Sequence, residues 1–141
     1  MTNPTPISTT TAPKPVGAYP HARRAGPLLF LSGIGPRSAH DNSIPGNVHD
    51  DRGQLIDYDI EAQCRSVFAN VDAVLAAAGA SVDQLVDVTV FLTNMQRDFQ
   101  TMNRLYAEHF GQAQPCRTTV EISSLPTPIA IELKCIAYLG E

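Results

Sequence analysis

The chain has 141 residues, 43% of them hydrophobic and 17% charged, with a formal net charge of −4 and a pI near 5.5. That length suits one domain burying roughly two thirds of its unfolded surface, and the acidic balance excludes a general attraction for nucleic acid phosphates or anionic lipid heads. No run of about 20 apolar residues and no basic-then-apolar leader occurs, so a cytoplasmic protein acting on small molecules is expected.

Residues 1–15, MTNPTPISTTTAPKP, are rich in Thr and Pro without an apolar period. They read as an extended or mobile lead-in to a single domain over residues 16–141. The run LLFLSG, residues 28–33, predicts a buried strand that stops at Gly33, Gly35 and Pro36. Residues 36–57 are polar and rich in Gly, Asp and Asn, a loop long enough to be functional or mobile.

The clearest helix lies in DIEAQCRSVFANVDAVLAAAG, residues 59–79. Ile60, Cys64, Val67, Phe68, Val71, Val74, Leu75 and Ala78 form one apolar stripe. Asp57 or Asp59 suits its N-cap and Gly79 its end. A strand follows, in which Val86, Val88, Val90 and Leu92 alternate with Asp87, Thr89, Phe91 and Thr93. A second helix carries Phe99, Met102, Tyr106 and Phe110 at helical spacing, with Asp98 as the expected N-cap and Gly111 as the stop. Asn103 borders that stripe, where a buried amide would need a partner. Two strands close the chain, at about 116–124 and 129–139. Arg117, Thr119 and Glu121 share one face of the first; Glu132, Lys134 and Ile136 share one face of the second. The order predicts an α+β domain with both helices on one face of the sheet. The other face, polar with some apolar residues, suits a cleft or another subunit.

Three cysteines, Cys64, Cys116 and Cys135, have no C-x-x-C spacing and read as reduced thiols in or near the core. His21, His40, His49 and His109 lack a ligand spacing, and no phosphate or dinucleotide loop is present. Neither a metal nor a cofactor is expected. Arg117 can clamp a carboxylate with two parallel hydrogen bonds, or pair with Glu121 on its own strand. Glu132 can act as a general base, or stand exposed beside Lys134. Tyr19 and Asn103 can orient a substrate, or be structural groups.

Taken in order, VGAYPHA (16–22), LLFLSGIGP (28–36), DIEAQ (59–63), AAAG (76–79), VTVFLTNMQRDFQTMNRLYAEHF (88–110), PCRTTVEISSLP (115–126) and IAIELKCIAY (129–138) resemble the reactive intermediate deaminase (YjgF) family. The resemblance implies a chorismate-mutase-like fold, a mixed sheet backed by two helices, assembled as a homotrimer with clefts between subunits. It also implies cofactor-free hydrolysis of an enamine or imine acid with release of ammonia. By motif, the carboxylate-binding arginine matches Arg117, and the glutamate of the last strand matches Glu132. The tyrosine of G-x-Y matches Tyr19, the asparagine before x-x-Y matches Asn103, and Ser-Gly matches Ser32 and Gly33. Ile34 stands where many relatives have glutamine, and Thr119 where they often have cysteine, which disfavours a thiol mechanism.

The long 36–57 connection and LPTPIA look like the 2-aminomuconate deaminase branch, which converts that diacid to 4-oxalocrotonate and ammonia in aromatic catabolism. The loop supplies Arg37, His40, His49 and Arg52 for the second carboxylate, with Arg37 the first choice; equally, it can be a solvated cover or a subunit contact. A general deaminase of 2-aminoacrylate-type enamines and a non-catalytic trimer that binds a small acid stay open beside this reading.

Overall fold

A computed structural model describes residues 5–140. In chain order the elements are β1 (Thr5–Ile7), β2 (Ala22–Ala25), β3 (Leu28–Leu31), β4 (Val48–His49), β5 (Leu55–Asp57), α1 (Ile60–Ala77), a 3₁₀ turn (Val82–Gln84), β6 (Leu85–Leu92), α2 (Met95–Phe110), β7 (Cys116–Glu121) and β8 (Ile131–Tyr138). Among the described residues, six strands form one sheet in the order β1-β2-β3-β8-β6-β7, and β4 and β5 form a separate hairpin. The pair β6–β7 is parallel and the other pairs are antiparallel, so the sheet is mixed. Both β3 and β6 run antiparallel to β8, hence parallel to each other. The crossovers β3-α1-β6 and β6-α2-β7 therefore step the same way across the sheet. With the usual right-handed sense, that puts both helices on one face, as the sequence predicts.

Cys64, Val67, Val71, Val74 and Leu75 of α1 are fully buried against Leu29, Leu31, Leu133 and Cys135 of the sheet. The Asp59 carboxylate caps α1 by accepting from the Glu61 and Ala62 amides. At the other end Gly79 adopts φ 74°, and the amides of Gly79 and Ala80 return to the carbonyls of Ala76 and Leu75 at 3.0 and 2.8 Å. Between the helices, the Phe68 ring lies edge-on to Phe110 at 5.0 Å and stacks on His109 at 5.3 Å.

Several sequence expectations change. Val86 is exposed rather than on the core face, because a bulge shifts the register between Leu85 and Asp87. The 36–57 loop contains the β4–β5 hairpin. Helix α2 starts earlier than Asp98: Asn94 is its N-cap, accepting from the Arg97 amide, while Asp98 is fully buried one turn inside and accepts from the Tyr58 hydroxyl at 2.6 Å. Cys116 lies exposed on the edge strand instead of near the core. Residues 1–4 of the expected lead-in lie outside the described residues; of the remainder, Thr5–Ile7 pairs with β2 and Ala12 is buried.

One stripe of α1 is polar, with Gln63 and Asn70 buried and Ser66 half-buried. Gln63 donates to Asn47 Oδ1 at 2.8 Å and accepts from the Ala130 amide at 2.8 Å, while Asn47 donates to the Pro128 carbonyl. Ser66 donates to the Pro36 carbonyl, and Asn70 to the carbonyls of Gly35 and Arg37. These three side chains pin the turn after β3 and the segment before β8 to the same helix. Gln63→Ala leaves the buried Ala130 amide without a partner, so it should lower the unfolding free energy by about 1–3 kcal/mol in urea titrations. A loss below about 0.5 kcal/mol would show that the network does not hold the loop.

Candidate active site

The sheet's pleat divides the expected site residues between its two faces. Arg117 is registered with Val88, and Val88 with Cys135; Thr119 is registered with Val90, and Val90 with Leu133. Paired residues share a face. Arg117 and Thr119 thus lie on the helix-covered face, at the outer edge where β7 ends the sheet. Glu132 is registered with Phe91, on the open face. One chain therefore does not bring Arg117 and Glu132 together.

Arg117 does not pair with Glu121 on its own strand. Glu121 accepts instead from the Met95 amide at 2.8 Å, at the start of α2, and among the described residues no ion pair involves Arg117. Its guanidinium carbon lies 4.7 Å from the Tyr106 ring centroid and 5.9 Å from that of Phe99. The Thr119 hydroxyl is buried nearby on the same strand face without a partner, as is that of Tyr106. Burial pushes the Tyr106 hydroxyl up to about 12, with the Arg117 charge pulling the other way, so the ring is neutral at physiological pH. Asn103 falls between Phe99 and Tyr106 on α2, but it is exposed. Solvent satisfies its amide, and the internal partner expected for it is not needed.

The second group gathers around the turn that follows β3. A small cleft of about 40 Å³ is lined by Pro13, Tyr19, Ser32, Gly33, Arg37 and Val74, among others. Gly33 sits against Glu132: a Cβ there would fall 2.5 Å from Glu132 Oε2, so any side chain must displace the carboxylate. Lys134 donates to the Leu31 carbonyl and does not pair with Glu132. Burial raises the Glu132 carboxyl above the ordinary carboxylate range. The Ser32 hydroxyl donates to the Pro20 carbonyl at 2.7 Å and keeps its lone pairs free to accept. Arg37 donates to the Lys14 carbonyl at 2.6 Å and to Asn42 Oδ1 at 3.1 Å, tying the loop to the N-terminal segment. His40, His49 and Arg52 are exposed and do not line this cleft.

Sequence reasoning passes over three contributors. His21 lines the cleft, accepting from the Thr9 amide at Nδ1; its other nitrogen, Nε2, lies 2.8 Å from the Pro13 carbonyl and carries the proton. Phe99 and Tyr106 are the other two, legible only as core until the register of β7 turns Arg117 toward α2. Among the described residues no group of three or more His, Cys, Asp or Glu side chains is placed to hold a metal ion, and no helix is long and apolar enough to cross a membrane.

The profile of the Endoribonuclease L-PSP family matches residues 9–139. A RutC family protein of Pyrococcus horikoshii is 42% identical over 132 residues, 94% of this chain and 95% of that protein. The chloroplastic Reactive Intermediate Deaminase A of Arabidopsis thaliana is 34% identical over 133 residues, 94% of this chain and 65% of that protein. The crystal structure of Escherichia coli TdcF with bound serine has a TM-score of 0.82 at 31% identity, covering 95% of this chain and 98% of that one. The chain belongs to the L-PSP family, in company with RutC and reactive intermediate deaminase proteins.

Glu132 gives this geometry a pH signature. Between the ordinary carboxylate value and its raised value, the folded chain keeps a proton that the unfolded chain has released, so this group's contribution to stability falls as pH rises through that window. Glu132→Gln does not titrate. Its melting temperature relative to wild type should rise from about pH 4 upward and level off once Glu132 is ionised; a pH-independent difference would contradict the buried carboxylate.

Proposed function

We propose that this member of the L-PSP family is a cofactor-free hydrolytic deaminase of enamine and imine carboxylic acids, with 2-aminomuconate, converted to 4-oxalocrotonate and ammonia, as its substrate. The observation that carries the reading is Arg117, a guanidinium held over two rings and in no ion pair among the described residues. Such a fork is open to an external carboxylate and orients it in a plane. The named activity of the Arabidopsis relative supports the reaction class. The serine bound by TdcF carries an amino group beside a carboxylate, the arrangement a 2-amino enamine acid also has. The family description names an endoribonuclease, but a net charge of −4 gives no electrostatic basis for holding a polyanion.

Because Arg117 and Glu132 lie on opposite faces, the reading requires two copies: the Arg117 edge of one meeting the Glu132 face of the next, as in a homotrimer with clefts between subunits. The open face supports such an assembly, with Phe30 and Tyr138 exposed and Phe91 and Ile136 half-covered. In this arrangement Arg117 grips the carboxylate next to the amino-bearing carbon, flanked by Thr119 and Asn103. Tyr19, Ser32 and Gly33 wall the opposite side. The enamine tautomerises to the imine. Glu132 takes a proton from a held water as its oxygen bonds to the imine carbon, giving a carbinolamine. Glu132 then protonates the nitrogen, the C–N bond breaks as the hydroxyl gives its proton back to Glu132, and ammonia leaves behind a ketone. Positioning of this kind lowers a barrier by several kcal/mol, about 7–11 at the upper end, and the proton transfers add on the order of 10²- to 10⁴-fold.

A general deaminase of short 2-aminoacrylate-type enamines is the second reading, favoured by the small size of the serine in TdcF. Arg37 separates the two, since it lines the same cleft as Gly33, the residue that abuts Glu132, and can turn from the Lys14 carbonyl and Asn42 to a far carboxylate.

Arg117→Ala should cut ammonia release from 2-aminomuconate generated in situ by on the order of 10²-fold or more, with little recovery in Arg117→Lys. Mixing Arg117→Ala with Glu132→Gln subunits after exchange should restore activity to about one quarter of wild type by random assortment. No restoration would place both residues in one copy's site or remove one from the reaction; ligand-induced stabilisation without ammonia release would mark a binding protein. Arg37→Ala should raise KM for the diacid by about 10- to 100-fold and leave a monocarboxylate enamine unchanged, whereas an equal rise for both would favour the general deaminase.

A further inference from the structure

Arg117 stands on an edge strand, where a long side chain ordinarily samples many rotamers and loses them only on binding. Two rings restrict it. Tyr106 is only 7% exposed and is fixed in turn by Phe110, whose centroid is 4.5 Å away, and by Phe68, edge-on at 6.3 Å. Its face lies 4.7 Å from the guanidinium carbon, and Phe99 closes a second side at 5.9 Å. Both distances fall within the range in which a ring quadrupole attracts a cation. A carboxylate in that place would hold the arginine as well, but it would occupy the N–H fork and compete with an incoming acid. A ring face attracts the charge and leaves the donors free.

The hydroxyl of Tyr106 is not what this position needs, since it is buried with no partner among the described residues and is kept neutral by burial. The chemistry at this position therefore resides in the ring.

We propose that Tyr106 is a positioning residue that stacks beneath Arg117 and pre-orients its guanidinium for a substrate carboxylate, with Phe99 as a secondary support. This inference rests on the reading of Arg117 as a carboxylate anchor. It adds that the anchor is built on α2 as much as on β7, and that the aromatic content of α2 sets affinity for the acid.

The test uses the full-length protein in its native assembly, with pyruvate as a simple 2-oxo acid probe. Affinity is measured by calorimetry, and the Arg117 Nε–H resonance, shifted by the ring current of Tyr106, is followed by NMR. Tyr106→Phe keeps the ring, so it should bind pyruvate as wild type does, hold the shifted resonance and be no less stable. Tyr106→Leu should weaken pyruvate by about tenfold and lose the ring-current shift. Phe99→Leu should have a smaller effect of the same sign, and it carries the test if Tyr106→Leu does not fold. Wild-type affinity in both leucine variants, or equal loss in Tyr106→Phe and Tyr106→Leu, overturns the inference. If Arg117→Ala binds pyruvate as wild type does, the carboxylate reading fails and the inference falls with it. If Arg117→Ala loses binding while the leucine variants keep it, the inference fails alone.

Discussion

A cation held against aromatic faces behaves differently from one held against an acid. An ion pair satisfies the guanidinium, and a partly buried pair becomes a structural joint that costs several kcal/mol to open. Stacking on Tyr106 and Phe99 leaves the charge uncompensated and the planar fork unsaturated. The nearest acid on the same strand face, Glu121, is drawn off by the amide at the start of α2, where the helix dipole favours a carboxylate. The separation of Arg117 from Glu121 thus follows from helix capping, and it is what leaves Arg117 available for a ligand.

The pleat then governs where the rest of the site can be. Because β7 is registered to β6 and β6 to β8, the row through Val88 and Cys135 carries Arg117 to the helix side, while the row through Phe91 carries Glu132 to the open side. A one-residue slip would bring both to one face and expose the apolar set of β6, so hydrophobic burial itself enforces the separation. A chain built this way holds two incomplete surfaces. The Glu132 side is shaped by what it lacks: Gly33 has no Cβ, and the carboxylate occupies that space. The low polarity that raises the Glu132 carboxyl is the condition in which a carboxylate becomes a more effective proton acceptor near neutral pH.

Much of this was legible in residue order. The α1 stripe, its Asp59 cap and its Gly79 exit follow from periodicity and local chemistry, as does the alternation of β6 from Val88 onward. What the alternation of β7 cannot say is which of its faces the helices cover; that depends on pairing with β6, nearly thirty residues away in sequence. Asp98 looks like a cap because caps are local, yet its partner Tyr58 comes from 40 residues upstream, and Asn94 takes the capping role. Val86 breaks the alternation through a bulge set by β8. The polar stripe of α1 is a different case. Gln63, Ser66 and Asn70 stand at helical spacing beside the apolar residues, a pattern visible in the sequence, and their number on a buried edge signals that α1 binds backbone as well as core.

That polar stripe connects the loop to the chemistry. Gln63, Ser66 and Asn70 hold the carbonyls and amides of residues 35–37, 47 and 130, so the turn that carries Gly33 and Arg37 and the residues just before Glu132 are referenced to one rigid helix. At its far end the loop is clasped again, as Arg97 donates to Asp57 and to the Tyr58 carbonyl and lies 4.0 Å from the Tyr58 ring centroid. A 22-residue connection fixed at both ends to different helices has lost most of the freedom a loop of that length would have. On the proposed reading, that rigidity is what allows Arg37 to stand at a set distance from Glu132 and to measure the length of an acid held at its other end by Arg117.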